Sequence, residues 1–311
     1  MNDALNSVFR SESPQAGAIS GLFILVLIVC AIILLIVAAM VVSSLVCFRH
    51  KPGGSDPRPH HGNWKLETAW TVIPFLVLIW FLTLTAKGMK ESNPPSGQKP
   101  DLLVIGHQWW WEVRYPKTGV ITANEIHIPV GAQWLVALES ADVIHDFWVP
   151  RLGPKMDAVP GHPNRLWLEA DKTGSYLGTC SEFCGAQHAQ MHFLVIAQPL
   201  TEFEAWQEQQ GKFAFRSKSK SAQRGSELFR SMTCVNCHRV NGTEAKSQDA
   251  PDLTHFASRR TFGSVILPNT PENLARWLKN PQAVKPAILM PDFKLTDAQV
   301  DGLTAYLESL Q

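Results

Sequence analysis

A twelve-residue segment of the chain combines four side chains that bind soft metal ions. It reads Cys180-Ser-Glu-Phe-Cys-Gly-Ala-Gln-His-Ala-Gln-Met191, with thiols at Cys180 and Cys184, an imidazole at His188 and a thioether at Met191. Sulfur ligands combined with imidazole favour copper or zinc over magnesium or calcium. Because a metal site draws ligands from more than one part of a chain, we add His145, which we expect on a loop between strands.

The number of cysteines separates the possible kinds of site. One Cys with two His and a weakly bound Met would form a mononuclear blue-copper site, whereas two thiolates can bridge two copper ions and leave one imidazole for each. Met191 and the backbone carbonyl of Glu182 would complete the two ends. The alternatives are a Cys₂His₂ zinc site, which has no use for Met191, and a short disulfide, against which the flanking His and Met residues argue.

A second cluster, Cys234-Val-Asn-Cys237-His238, has the Cys-x-x-Cys-His pattern of covalent c-type haem attachment. Cys234 and Cys237 would form the thioethers, and His238 would be the proximal iron ligand. The candidates for the distal ligand are His255 and Met290. We favour Met290, in an expected loop between helices, because Met/His ligation raises the haem potential; the alternative for Met290 is a core position. A chain with both clusters moves electrons.

Two uncharged segments, Ser13–Phe48 and Thr68–Ala86, predict membrane helices at about residues 18–48 and 67–87. A membrane helix needs about 20 mostly apolar residues. The first segment is longer than the about 7–15 apolar residues of a signal peptide, and the residues before it are not basic. We therefore expect a retained helix, with cleavage upstream of it as the alternative.

The charges between the two apolar segments predict the orientation of the chain in the membrane. This short stretch is basic and holds one acid; its charged residues are Arg49, Lys51, Asp56, Arg58 and Lys65. By the positive-inside rule it lies in the cytoplasm. Everything after about residue 87 then lies outside, which in a bacterium is the periplasm.

The 311 residues are enough for several domains, and the net charge of +1 gives no field that would attract nucleic acid. We predict a transmembrane hairpin at residues 1–90, a β domain at 91–199, a linker at 200–221 and a helical domain at 222–311. The β domain is indicated by short segments rich in β-branched and aromatic residues. Examples are 102–106, 109–115, 125–129, 134–138 and 192–196. Helices are expected at 201–210, with Thr201 and Glu204 as a capping box, and at 222–231, 270–280 and 296–310.

Three segments carry a resemblance to a known family. The run Gly178–Met191 resembles the dinuclear copper (CuA) loop of cytochrome c oxidase subunit II. Gly106-His-Gln-Trp-Trp-Trp-Glu112 is similar to the aromatic segment of that family, and Leu66–Pro74 is similar to the start of its second membrane helix. Residues 222–311 resemble a class I cytochrome c domain. The resemblance implies a two-helix anchor, a cupredoxin-like Greek-key β-sandwich and an all-α cytochrome c domain.

The resemblance also implies roles for individual residues. The copper ligands would be His145, Cys180, Cys184, His188 and Met191 through their side chains and Glu182 through its backbone oxygen. The Glu182 carboxylate would reach a magnesium or manganese ion at the border with subunit I. Trp109 would be the aromatic residue through which electrons enter. Glu67 would lie at the mouth of a proton path; the alternative for Glu67 is an acid at a helix end.

The expected function is that of subunit II of a proton-pumping haem–copper cytochrome c oxidase, with oxygen reduced in subunit I and not in this chain. Expected partners are subunits I and III, the lipid bilayer, and an external donor that is a cytochrome c or a cytochrome bc complex; nucleic acid is not expected. The expected location is the bacterial inner membrane. The alternatives are a nitrous-oxide or nitric-oxide reductase with the same copper centre, and a free-standing membrane electron carrier.

Overall fold

The structure, a computed structural model, describes residues 9–49, 52–53, 59, 61–95, 97–215 and 217–311. The chain divides into two compact units, one of residues 17–92 and one of residues 1–16 with 93–311. Of the charged residues on which the predicted orientation depends, Lys51, Asp56 and Arg58 lie outside the described residues.

Two long apolar helices form the N-terminal part of the chain, α1 at Pro14–Cys47 and α2 at Trp64–Ser92. Each begins a few residues before its predicted start, because a polar residue caps it: the Ser13 hydroxyl accepts from the Ala16 N–H at 3.0 Å, and Asn63 accepts from the Lys65 N–H at 3.1 Å. Their mean hydropathies reach 3.6 and 2.0, and their apolar side chains are exposed. Both helices are therefore long and apolar enough to cross a bilayer.

Ten strands form a β-sandwich of two five-stranded sheets. They are β1 Leu102–His107, β2 Trp110–Tyr115, β3 Val120–Ala123, β4 Glu125–Pro129, β5 Trp134–Ser140, β6 His145–Trp148, β7 Met156–Ala158, β8 Asn164–Leu168, β9 Gly174–Cys180 and β10 His192–Gln198. One sheet has the order β3-β2-β1-β5-β8 and the other β4-β10-β9-β6-β7. The pairs β1/β5 and β4/β10 are parallel and the remaining pairs are antiparallel. The two inner faces share one apolar core, which includes Trp111, Phe147 and Phe193.

Five of these strands match predicted segments, and the other five were missed. The missed strands β3, β6 and β7 have only three or four residues, too few to show the alternation on which strand prediction depends. One consequence concerns the copper site. His145 is the first residue of β6 and not part of a loop, so its position is set by pairing with Ala158 of β7.

A helix and a short connector follow the sandwich. Helix α3, Leu200–Gln210, has Pro199 at its N-cap with no side-chain cap, so the predicted Thr201–Glu204 capping box is wrong. The helix packs on the sandwich: the Trp206 ring stacks on His127 with centroids 4.0 Å apart. In the connector, the carbonyl of Lys212 lies 3.1 Å from the His255 ring and the Ala214 N–H donates to the Asn241 carbonyl at 3.3 Å. Arg216 lies outside the described residues.

The C-terminal part is helical, as predicted, with α4 at Lys220–Ser231, α5 at Pro271–Lys279, α6 at Pro281–Val284 and α7 at Asp297–Leu307. The predicted capping box of Thr296 and Gln299 begins α7. Between α4 and α5 a small hairpin pairs β11, Thr261–Phe262, with β12, Leu267–Pro268.

Helices α4 and α7 cross at two glycines. A Cβ atom on Gly225 would lie 1.9 Å from the carbonyl oxygen of Gly302 and 2.7 Å from the Cβ of Tyr306. The backbones can approach this closely only without a side chain at Gly225. Phe229 and Tyr306 pack beside the crossing with ring centroids 5.5 Å apart.

Candidate metal and haem sites

The two thiols of the copper-loop segment meet in the interior of the sandwich. Cys180 is the last residue of β9, and Cys184 follows it after a short turn. Their sulfurs are 3.7 Å apart and almost fully buried, with residue exposures of 4% and 3%. A disulfide needs a separation of about 2.05 Å. The sulfurs are therefore a pair of free donors.

An imidazole lies on either side of this sulfur pair. His145 Nδ1 is 3.9 Å from the Cys180 sulfur, and His188 Nδ1 is 3.7 Å from the Cys184 sulfur. His145 is fully buried at the edge of β6, whereas His188 begins a short 3₁₀ turn after the second thiol. The two rings come from segments more than 40 residues apart. Folding of the sandwich therefore adds the His145 imidazole to the donors of the Cys180–Met191 loop.

One further donor lies near each sulfur. The thioether of Met191 is 3.7 Å from the Cys184 sulfur, and the carbonyl oxygen of Glu182 is 3.3 Å from the Cys180 sulfur. Met191 is fully buried. A thioether is a soft ligand typical of copper sites, and tetrahedral structural zinc takes four donors from Cys and His alone. The donor set therefore fits two copper ions better than one zinc ion.

The pKa values of the two thiols shift in opposite directions. The hydrogen bond from Cys184 lowers the pKa of Cys180, and the same contact raises the pKa of Cys184. Burial lowers the pKa of His145, but its hydrogen bonds to Asp142 and Cys180 outweigh burial and raise it overall. Thiolate and imidazole ligands bind metal only in their deprotonated forms, so metal binding must release protons here.

Two neighbours hold the His145 ring in place. Its Nε2 lies 2.7 Å from the carboxylate of Asp142, which leaves Nδ1 to face the sulfurs. On the opposite side the ring packs on Gly106 of β1, where a Cβ atom would lie only 2.7 Å from the ring carbon Cδ2. A carboxylate behind a ligating imidazole fixes its tautomer and orientation. Asp142 was not predicted from the sequence.

The haem-attachment segment borders a cavity of about 390 Å³. Cys234, Cys237 and His238 line it on one side, and the apolar side chains of Leu253, Phe256, Phe262 and Trp277 line it as well. His238 Nδ1 donates to the Pro251 carbonyl at 2.8 Å, which leaves Nε2 as the free ligand atom. Burial lowers the pKa of His238, so its neutral form, which binds iron, is favoured. This arrangement fits a covalently attached haem c.

The structure distinguishes between the two candidates for the distal ligand. Met290 lines the cavity, and its sulfur accepts from the Trp277 indole N–H at 3.3 Å. His255 is buried outside the cavity lining, and its Nε2 faces the Lys212 carbonyl. Trp277 was not predicted from the sequence; a tryptophan thirteen residues before the methionine gives no spacing signal.

Trp109 lies between the two sites. Its indole N–H donates to the Cys184 carbonyl at 2.9 Å, and the residue also lines the haem cavity. Of its two neighbours, Trp110 stacks on His107 with centroids 4.3 Å apart, and Trp111 is fully buried in the sandwich core. Trp111 therefore serves the packing of the sandwich core.

Three family models match successive parts of the chain. The transmembrane domain of cytochrome c oxidase subunit II matches residues 4–85, the periplasmic domain of the same subunit matches 120–198, and cytochrome c matches 222–311. Cytochrome c oxidase subunit 2 of Alkalihalophilus pseudofirmus is 36% identical over 308 residues, covering 96% of this chain and 89% of that protein. The chain belongs to the cytochrome c oxidase subunit 2 family.

Two more relatives illustrate the range of the family. Cytochrome c oxidase subunit 2 of Bacillus subtilis is 32% identical over 289 residues, covering 86% of this chain and 81% of that protein. The solved periplasmic domain of subunit II of cytochrome oxidase from Bradyrhizobium japonicum is 35% identical and covers 36% of this chain and 94% of that structure, with a TM-score of 0.35.

The family confirms the predicted fold class, with two apolar helices, a β-sandwich domain and a helical cytochrome c domain. It also confirms the predicted function as subunit II of a cytochrome c oxidase, with a cytochrome c domain of its own. Haem c and copper are the cofactors that these two domains imply.

Glu67 belongs to the unit of residues 17–92 and not to the unit that contains the copper and haem candidates. It lies exposed in the first turn of α2, where a carboxylate is stabilised by the helix dipole. Two residues that the sequence did not single out are Glu125 and Lys285, each charged and each 2% exposed. They have no motif around them, and only burial of their charge marks them.

Proposed function

We propose that His145, Cys180, Cys184, His188, Met191 and the Glu182 carbonyl hold a dinuclear copper centre, and that Cys234, Cys237, His238 and Met290 hold haem c. The single observation that carries this proposal is the convergence of two buried sulfurs, two imidazoles and a thioether at one end of the sandwich. When bound, the copper pair and the haem supply reversible one-electron redox chemistry.

The protein contributes a fixed frame for both groups. Asp142 and Gly106 hold the His145 ring, and Pro251 holds the His238 ring, so that neither imidazole needs to turn when the charge of its site changes. Burial of the sulfur pair keeps water away from the copper ligands. Such a frame favours electron transfer, because little reorganisation accompanies each change of charge.

Trp109 is the residue we assign to the path between the two sites. It lines the haem cavity and donates a hydrogen bond to the carbonyl of a copper-ligating cysteine. In this chain the electron therefore reaches Trp109 from the attached haem domain. An external cytochrome c or cytochrome bc complex would reduce the haem domain and not the sandwich directly.

The proposal is tested by purifying the protein in mild detergent and measuring its copper, zinc and iron contents with a visible and near-infrared spectrum. We expect two copper ions and one haem per chain, with the near-infrared band of a mixed-valence copper pair. Cys180→Ser and Cys184→Ser should each abolish that band and leave the haem spectrum intact. Cys30→Ser, in the apolar helix α1, is the matched control. One zinc ion in place of copper, or a band that persists in either variant, would refute the ligand assignment.

We propose subunits I and III of the oxidase as partners, with the bacterial inner membrane as the location and the sandwich on its periplasmic side. The exposed Glu182 carboxylate would bind a magnesium or manganese ion shared with subunit I, and Glu67 would lie at a proton path. Co-purification with a large haem-bearing subunit tests the partnership. Glu182→Gln should then lower the manganese content of the complex grown in manganese, with the near-infrared copper band unchanged.

We also retain the proposed domain boundaries of 1–90, 91–199, 200–221 and 222–311. They are supported by the separate apolar cores of the sandwich and of the helical domain. Limited proteolysis should cut first within 211–219, where the described residues 211–215 and 217–219 form no helix or strand.

A further inference from the structure

Two charged side chains are buried where the sandwich meets the haem domain, and neither holds copper or haem. Lys285 follows α6 in the haem domain, and Glu125 begins β4 in the sandwich. Each is 2% exposed. A charged side chain is almost never buried to this extent unless it is paired. The partners of both residues lie across the contact between the two domains.

Lys285 reaches into the backbone of the sandwich. Its Nζ donates to the carbonyl of Trp109 at 3.0 Å and to that of Gln190 at 3.2 Å. Within its own domain it lies 2.9 Å from the Ser264 hydroxyl and 3.4 Å from the Gly263 carbonyl. Burial lowers the pKa of Lys285 to about 7. As an ammonium or an amine, the group keeps N–H donors for both sandwich carbonyls.

Glu125 makes the reciprocal contact. Its Oε1 accepts from the backbone N–H groups of Arg260 and Thr261 at 3.0 and 2.9 Å and from the Thr261 hydroxyl at 3.0 Å. Burial raises the pKa of Glu125, and the hydrogen bonds from Thr261 and the charge of Arg259 act in the opposite direction. Arg260 adds a further bond, from its guanidinium to the Ser175 hydroxyl at 2.8 Å.

Both contacts lie beside the haem cavity. Ser264, which meets Lys285, also donates to the Trp109 carbonyl at 2.7 Å and lines the cavity. Asn124, the neighbour of Glu125, lines the cavity from the sandwich side. The two contacts therefore fix the part of the sandwich that closes the cavity over Trp109.

We propose that Lys285 and Glu125 are positioning residues that form a reciprocal latch, in which each domain inserts one charged side chain into the backbone of the other and holds the haem cavity against Trp109. The latch makes transfer from haem to copper a step within one fixed structure instead of a search by a tethered domain. The kinetic part of its test rests on the proposed function; the labelling part does not.

The first test measures the accessibility of Lys285 by acetylation with an N-hydroxysuccinimide ester and mass spectrometry. Lys279, whose side chain is 51% exposed on α5 of the same domain, is the internal control. In the wild-type protein we expect Lys285 to react at least about tenfold more slowly than Lys279, because labelling requires the interface to open. Glu125→Gln should raise the rate at Lys285 at least about tenfold and leave Lys279 unchanged. Equal rates for both lysines in the wild-type protein, or an unchanged rate at Lys285 in Glu125→Gln, would overturn the latch.

The second test measures transfer from haem to copper after flash reduction of the haem. Lys285→Met keeps the length of the side chain and removes its donors; Lys279→Met is the matched control. We expect Lys285→Met to slow transfer at least about tenfold, since the bonds from Nζ to the Trp109 and Gln190 carbonyls across the domain contact are lost, and to make the rate depend on solvent viscosity. The haem and near-infrared copper spectra should be unchanged. Transfer at the wild-type rate, without viscosity dependence, would refute the latch.

Two further outcomes are distinguishable. If Lys285→Met fails to incorporate haem, the same kinetic measurement is made on Glu125→Gln, because that substitution leaves the sequence of the haem domain intact. Failure of the proposed function would appear in the unmodified protein as a missing copper band. Failure of the latch would leave the haem and copper spectra present, and the substitutions would not change the rate of transfer from haem to copper.

Discussion

At the scale of single residues, the copper candidates depend on neighbours that bind no metal. Asp142 holds the His145 ring through Nε2, and Gly106 leaves room for that ring. Partners of this kind orient the ligands, and their removal typically costs tenfold to a hundredfold in metal affinity. The residues around a ligand therefore deserve the same tests as the ligands.

Asp142→Asn should lower the affinity for copper by about tenfold to a hundredfold. The amide is isosteric, but it cannot hold the ring through a charged hydrogen bond. Competition with a copper chelator, followed by the near-infrared band, measures the change. Glu139→Gln, an exposed acid on the preceding strand β5, is the control. An affinity equal to that of the control would show that the ring is held by packing alone.

Glu112 of β2 gives a prediction of pH dependence. Burial alone would raise its pKa, but hydrogen bonds from His107 and Arg114 outweigh burial and lower it. A carboxyl whose pKa is lowered by folding stabilises the fold above its unfolded pKa, about 4.3, and loses that contribution as the pH falls through its folded value.

Glu112→Gln should therefore lower the free energy of unfolding by about 1–2 kcal/mol at pH 7, a value kept small because the Arg114 side chain is partly exposed. The difference from the wild-type protein should shrink as the pH falls below about 4.3. Denaturant unfolding at several pH values, followed by tryptophan fluorescence, measures it. Asp171→Asn, an exposed acid in the same domain, should show no such trend, and a pH-independent difference for Glu112→Gln would contradict the assignment.

At the scale of elements, the haem domain depends on one helix crossing. Helices α4 and α7 meet at Gly225 and Gly302, so the backbone of each helix forms the contact surface of the other. Such a contact cannot adapt by a change of rotamer, because no side chain is present to move. The crossing also positions the haem-binding cysteines, which follow α4 within a few residues.

Gly225→Ala should lower the stability of the haem domain by about 1–3 kcal/mol, since the new methyl group forces the helices apart. Within α4 the same substitution would by itself favour the helix by up to about 1 kcal/mol, so a net loss identifies the clash. Thermal unfolding followed in the haem absorption band measures the effect. Glu227→Ala, exposed on the same helix, controls for helix propensity; a stabilised Gly225→Ala protein would show that the helices do not cross here.

At the scale of the whole molecule, the contact between sandwich and haem domain contains buried polar groups. Its charged members, Lys285 and Glu125, are both 2% exposed. Salt screens exposed charges over about 8 Å at physiological ionic strength, and it screens buried pairs much less. The contacts of Lys285 and Glu125 are therefore screened little by salt, whereas an external donor arrives through solvent.

Transfer from haem to copper within the chain should therefore be nearly independent of salt between about 0.01 and 1 M. The bimolecular reduction of the haem by a charged external donor should change over the same range. Flash reduction at several salt concentrations measures the first rate, and stopped-flow mixing with the donor measures the second as the reference. An internal rate that falls with salt as steeply as the bimolecular rate would mean that the domain docks through exposed charges.

Most of the candidate ligands could be predicted from the sequence because their side chains are concentrated in two short segments. The spacing of Cys180, Cys184, His188 and Met191 and the pattern around Cys237 are local, and the helix caps at Thr296 and Gln299 are local as well. Sequence reasoning failed at the Thr201 cap and at five strands, of which β3, β6 and β7 have only three or four residues and therefore too little periodicity.

The amino-acid sequence by itself determined the candidate ligands of copper and haem, because each donor type is a property of its side chain and most of the candidates are neighbours along the chain. Only the tertiary structure decided which groups hold these ligands and the two domains in position. Lys285 meets the carbonyl of Trp109 across 176 residues, and Arg260 meets Glu125 across 135. Those contacts join side chains to backbone groups that every residue possesses, so no residue type marks the partner, and only the folded chain brings the two together.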